Sequence, residues 1–302
     1  MTTTALLSEL RATLQDSGLH GSFLVRDLDT GEELGIDPEI EFPVASLVKV
    51  PLALATLERV RRGELDAAMP VEVAPGRLSV PGPTGMSRFR HPARVAVEDL
   101  VYLSTCISDS VAADALFVLT PPSRVTELLK DLGVKGISVR HTMNELTETP
   151  AERFEAADVH LAHALAIDAG TPGRGHRVPQ LDISHANTGT ARAFVDLLHS
   201  LWHPTTIPTE VAGAVRTLLS ANVLRHRLAP DFASDAATWS SKTGTLLNLR
   251  HEAGVVEHTD GHRYAVAALT ESSVAASSQP GADATMGQVA RRLRDHLRVW
   301  AA

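Results

Sequence analysis

A serine and a lysine stand three positions apart in Phe42-Pro43-Val44-Ala45-Ser46-Leu47-Val48-Lys49-Val50-Pro51-Leu52, where a helix is predicted to begin. On a helix, residues i and i+3 share a face roughly 5 to 6 Å apart, so the Lys49 amine comes within reach of the Ser46 hydroxyl. A serine is a poor nucleophile until a neighbouring base removes its proton. A lysine can do so only when neutral, a state favoured by burial or by a second cation nearby. Ser46 is therefore the candidate nucleophile and Lys49 its base. Taken alone, the spacing also suits a serine at a helix start with a solvated lysine one turn later.

Two further groups carry candidate chemistry. Ser108-Asp109-Ser110 falls between an apolar helix ending near Ile107 and another starting near Ala112, which places its hydroxyls on an inter-helix loop. Lys242-Thr243-Gly244 is predicted at the end of a strand and is followed by Thr245. Other patterns read as structure. Asp29-Thr30-Gly31 matches an aspartic-protease triplet, but that chemistry needs two carboxylates sharing a proton, and the chain has no second such triplet. It is read as a turn. His160 with His163 and His199 with His203 have metal-ligand spacings without the accompanying glutamate, so no metal site and no cofactor is assigned. The single cysteine, Cys106, lies in an apolar run and excludes an internal disulfide.

The elements that must position these residues follow from hydrophobic period. A helix over 5–14 is followed by a hairpin whose strands cover 21–27 and 33–36. The nucleophile helix spans about 46–62, with an irregular start because Pro51 removes an amide donor from its first turns. Helices are expected at 97–103, 112–119, 122–132, 157–166, 191–202 and 211–219, with breaks at 81–85 and 170–175. Strands follow at 238–242, 253–257 and 264–269, then a closing helix over 289–299. Strands at both chain ends imply an α/β (α+β) fold with one antiparallel sheet. Its domain would comprise 1–62 and 205–302, with an all-helical domain, 63–204, inserted between them.

Composition narrows the function classes. The 302 residues are 44% hydrophobic and 21% charged, the profile of a soluble globular protein. A net charge of −8 without a basic stripe argues against nucleic acid as partner. No stretch is long and apolar enough to span a bilayer, and the first residues lack an export signal, so a cytoplasmic protein without a membrane partner is expected.

The ordered trio Ser46-x-x-Lys49, Ser108-Asp109-Ser110 and Lys242-Thr243-Gly244, each in a fitting structural context, resembles the signature of the class A β-lactamases and penicillin-binding proteins. The resemblance covers nearly the whole chain. It implies a β-lactamase/transpeptidase-like fold and a serine hydrolase acting on a small molecule, a β-lactam or a related amide or ester. Ser46 would be acylated, Lys49 would transfer its proton, Ser108 would relay a proton to the leaving nitrogen, and Lys242 would assist that relay and help bind a substrate carboxylate. The backbone N–H groups of Ser46 and Thr245 would form the oxyanion hole. Ser110, Thr243, Gly244 and Thr245 would line the substrate site, and Arg250 falls near the family's substrate-binding arginine, with a surface arginine as the alternative.

The chain departs from the family in two places. Ser110 stands where the second motif has asparagine, offering one hydroxyl in place of a carbonyl and an amide. Met143-Asn144-Glu145-Leu146-Thr147 is the nearest match to the family's Glu-x-x-Leu-Asn loop and puts methionine where the deacylating glutamate belongs. Glu145 is the first candidate substitute, with Glu148 and Glu152 behind it, and the segment through Asp182 looks longer than the family's loop. Three functions follow as alternatives: a β-lactam hydrolase, a covalent trap or sensor that releases its acyl group slowly, and a cytoplasmic hydrolase of a non-lactam substrate.

Overall fold

The computed structural model describes residues 2–74, 84–150, 154–155, 157–168, 175–275 and 278–300. Glu152, most of the 81–85 break and most of the 170–175 break lie outside the described residues.

Helix α1, Thr3–Asp16, is capped by the Thr2 side chain and buries Leu6, Leu10 and Leu14 along one stripe before Gly18 turns the chain at φ +66°. Strands β1, Leu19–Asp27, and β2, Glu33–Ile36, form the expected hairpin, with Gly31 of the Asp29-Thr30-Gly31 turn at φ +78°. The last three strands are longer than their apolar cores: β8 spans Ala237–Leu246, β9 Leu249–His258 and β10 Arg263–Ser272. All five join one antiparallel sheet in the order β2-β1-β10-β9-β8, so strands from the two ends of the chain meet as β1 pairs with β10.

Both faces of this sheet are buried, which is why β10 reads as an unbroken apolar run. Tyr264, Val266 and Ala268 pack with Phe23, Val25 and the closing helix, Pro280–Trp300. Ala265, Ala267 and Leu269 point the other way, into a larger core that extends through the helices.

That larger core is built by α2 (Lys49–Arg61), α3 (Val97–Cys106), α4 (Ser110–Leu119), α5 (Pro122–Asp131), α8 (Ala191–Trp202) and α9 (Thr209–Ser220). Each coincides with an expected helix to within a few residues. Helix α2 lies among α3, α5 and α9, and α8 lies against β1 and β10. The packing therefore interleaves the two segments expected as separate domains.

Region 63–204 is not all-helical. It contains β4 (Pro70–Val73) paired with β5 (Ala93–Ala96), and β6 (Ile137–Ser138) and β7 (Thr188–Thr190), which join β3 (Glu41–Pro43) in a second sheet ordered β3-β7-β6. Strands of two to four residues are too short to leave an alternating pattern in the sequence. The second sheet matters because β3 leads directly into the serine.

Candidate active site

Strand β3 ends at Pro43, and Ala45–Val48 form a 3-10 turn ahead of α2. This is the irregular helix start that Pro51 foreshadowed. Ser46 therefore sits on a tight turn and Lys49 opens the helix proper. Three supports hold the turn. Val44 N–H donates to Asn187 O at 2.9 Å, and the His251 ring donates through Nε2 to Pro43 O at 2.8 Å while its Nδ1 accepts from Thr270 N–H. Burial pushes His251 down to about 4, so its imidazole is neutral. The third support is β8. A Cβ on Gly244 would stand 2.7 Å from Val44 O and 3.3 Å from Leu47 N, so only glycine lets the strand press against the serine turn. This contact lays β8 against the turn that carries Ser46. The Lys242-Thr243-Gly244 run thus lies within a strand that continues to Leu246, and not at its end.

Lys49 is fully buried, and its three ammonium donors are all used. They reach Ser108 O at 2.6 Å, Ser108 Oγ at 3.3 Å and Ser110 Oγ at 3.2 Å. Among the described residues the Ser46 hydroxyl has no hydrogen-bond partner, so the direct Lys49–Ser46 bond expected from the spacing is not formed. Lys242, equally buried, donates to the same Ser108 Oγ at 2.9 Å and to Thr243 O at 2.9 Å. Ser108 is the hub. Its backbone is at φ +59°, a left-handed conformation a serine adopts at a cost, between the end of α3 and Asp109, which caps α4.

Burial lowers both amines. Lys49 falls to about 7, with Asp109 and Asp114 pulling partway back, and burial holds Lys242 well below its ordinary value, with the positive charges of Lys49 and Arg227 acting in the same direction. A neutral lysine is thus within reach at ordinary pH, as general-base chemistry requires. Asp109 is buried too: one oxygen accepts from Val111 and Ala112 N–H, the other from Met86 N–H, and Gly85 makes room for it.

Four participants escaped the sequence reading. Arg227 is buried, pairs with Asp283 at 3.1 Å, and donates to Gly244 O, His251 O and Thr245 Oγ1, the last at 2.7 Å. It stands behind the Thr245 hydroxyl. Glu252, also buried, accepts from Trp239 Nε1, Ser241 Oγ and the backbone of Arg227 and Leu228, tying β8 and β9 to the Arg227 segment. His251 is the strut described above. Asp114, on α4, accepts Met143 N–H at 2.7 Å, and burial raises its carboxyl to about 6 although Lys49 draws it back. Nothing in the spacing of Arg225-His226-Arg227 marks one of them as buried.

Arg250 is buried beneath the β8–β9 turn, donating to Leu247 O and Leu249 O, so it is not the surface arginine of the alternative reading. Glu145 is exposed. Its carboxylate accepts from Thr142 N–H at 2.7 Å in a capping box for α6, Met143–Thr147. Met143 is buried in the core. The histidine pairs do other work: His163 is buried on α7, Val159–Asp168, while His199 and His203 each face an arginine, Arg26 and Arg263. Among the described residues, no helix is long and apolar enough to cross a membrane.

Comparison with known proteins gives the family and the fold. A model of the β-lactamase enzyme family matches residues 5–297. The β-lactamase regulatory protein BlaB of Streptomyces cacaoi is 68% identical over 307 aligned positions, covering 98% of each chain. A β-lactamase from Chitinophaga pinensis superposes with a TM-score of 0.76 at 16% identity, over 97% of this chain and 99% of that one. A single-substitution mutant of PBP-A, solved as an acyl-enzyme complex with penicillin G, gives 0.73 at 17% identity, over 98% and 97%. The fold is thus shared with both structures, and the chain belongs to the β-lactamase enzyme family, as its class A resemblance implied.

Proposed function

We propose that Ser46 is acylated by β-lactams, or by related amides and esters, and that the acyl group leaves slowly, making the protein a covalent β-lactam binder. One observation carries the acylation half: Ser108 Oγ is held between two buried amines, Lys49 and Lys242, with Lys49 at about 7. Ser46 Oγ attacks the lactam carbonyl carbon, the proton it loses passes to neutral Lys49, and the C–N bond breaks as Ser108 gives its proton to the departing nitrogen and takes one back from protonated Lys49, so that one proton moves from Ser46 to nitrogen overall. Ser108 accepts from both lysines, which leaves its own O–H free to point at that nitrogen. The N–H groups of Ser46 and Thr245 serve the oxyanion, and Thr243, Thr245 and Arg227 serve the substrate carboxylate. Ser110 anchors Lys49 on this reading.

The slow release rests on Met143 and Glu145, neither of which is a free base. Met143 has no proton-accepting group, and the carboxylate of Glu145 is spent on a helix cap. The name of BlaB, a regulatory protein, fits a binder better than a rapid hydrolase. A second reading, a true hydrolase, is favoured by Asp114, whose raised carboxyl lies near both Lys49 and Met143. Time-resolved intact-mass spectrometry with benzylpenicillin separates the two. An adduct that persists and is absent from Ser46→Ala supports the binder, and an adduct that clears within turnover time supports the hydrolase.

A further inference from the structure

Away from Ser46, a cavity of about 560 Å³ lies between α1, the start of β1, α7 and the end of β10, and a smaller one of about 150 Å³ adjoins it. They share His20, Ala166, His176, Asn248 and Glu271 as walls. The combined space is in the range that holds small organic ligands. We propose that it is a second ligand site, built for an uncharged, largely apolar molecule with an N–H donor, whose occupancy acts on Ser46 through β3.

The chemistry of the walls selects that ligand. The interior is apolar, with Leu14, Leu19, Ile36, Ile167, Leu181 and Ile183 contributing. The charges at the rim are already matched, Arg11 with Asp37 at 2.9 Å and His20 with Glu271 at 3.4 Å, so a charged guest would have to break a pair. Both nitrogens of His176 are engaged, with Val178 N–H and Ala166 O. What is left over is an acceptor. Asn248 donates through Nδ2 to Ser272 O, while its buried Oδ1 has no partner among the described residues. A buried acceptor without a donor is costly, and a guest N–H removes that cost.

The walls also belong to the elements that carry the reactive centre. Phe42 lies with its ring 6.1 Å from that of His20 in the cavity wall and 6.0 Å from that of His251, and the next residue, Pro43, is the one His251 holds. Ser46 follows three residues later. Asn248 closes the β8–β9 turn just past Thr245. A guest pressing on Phe42 and Asn248 therefore touches both arms of the proposed oxyanion hole.

The neutral fluorophore N-phenyl-naphthylamine, which carries one N–H, tests the site. Its fluorescence should rise saturably with one molecule per chain, in the wild type and in Ser46→Ala alike. Binding should be lost in Gln15→Trp, at an exposed α1 position lining the cavity, and in Ala166→Phe, with thermal unfolding checked for each. Absence of saturable binding in the wild type, or binding that survives in both folded variants, overturns the site. At saturation the fluorophore should change the rate of penicillin adduct formation by about fivefold or more, and an unchanged rate overturns the coupling through β3. Only that last arm depends on the acylation proposed above. If penicillin forms no adduct, the acylation reading fails and the binding arm still decides the cavity.

Discussion

Lys242 Nζ donates to Ser108 Oγ at 2.9 Å, linking strand β8 to the turn before α4 across 134 residues of chain. The same oxygen accepts from Lys49 at 3.3 Å. Ser108→Ala removes the group that both amines share and the O–H that would protonate the leaving nitrogen. Acylation by benzylpenicillin should slow by about 10²-fold or more, the range of a lost general acid, as read by the rate of mass-adduct formation. A rate close to that of wild type would remove Ser108 from the relay.

The pH dependence follows from Lys49. Only its neutral form takes the Ser46 proton, and with the amine at about 7 the acylation rate should rise as pH increases through about 7 and level off above it. The Asp114 charge favours the protonated amine, so Asp114→Asn should shift this limb to lower pH. Stopped-flow acylation of the two proteins between about pH 5 and 9 reads the shift directly. A limb that stays in place, or moves upward, contradicts the assignment.

Arg227 holds Thr245 Oγ1 with one arm of its guanidinium and two backbone carbonyls with another. Arg227→Lys keeps the charge and loses the fork. The concentration of penicillin needed for half-maximal acylation rate should rise about tenfold, in line with a lost charge-assisted hydrogen bond. An activated ester without a carboxylate should be affected far less. Equal losses for both substrates would make Arg227 a purely structural residue.

Gly244→Ala places a methyl group 2.7 Å from Val44 O, between two backbone segments that are themselves packed in place. The strand and the serine turn must separate. Destabilisation of about 1 to 3 kcal/mol is expected from overpacking, together with acylation slowed more than that loss of stability would explain. Urea unfolding and adduct kinetics on one preparation measure the two effects together.

Legibility in the sequence followed chain distance and burial. The helices were readable because residues such as Leu6, Leu10 and Leu14 repeat with the helical period, and the sheet because runs such as Tyr264 to Leu269 are short, unbroken and apolar. The short strands β6 and β7 were not, having too few residues to show any period. Ser46, Lys49, Ser108 and Lys242 were found because their local spacings are motifs, and the structure brings the last three into direct contact. Arg227, Glu252, His251 and Asp114 carry no such local mark. They matter because tertiary packing buries a charge or a ring beside the motifs, and that is written in contacts spanning as many as 208 residues, as between His251 and Pro43.

The proposed acyl bond at Ser46 forms readily and breaks slowly. Intact-mass spectrometry followed from seconds to hours after mixing with benzylpenicillin, then after removing the excess drug, measures both halves. We expect a single adduct carrying the full mass of the penicillin, located at Ser46 by peptide mapping, abolished by Ser46→Ala and still present hours after the drug is gone. No adduct at any time, or an adduct at Ser46 that disappears within seconds, would contradict it.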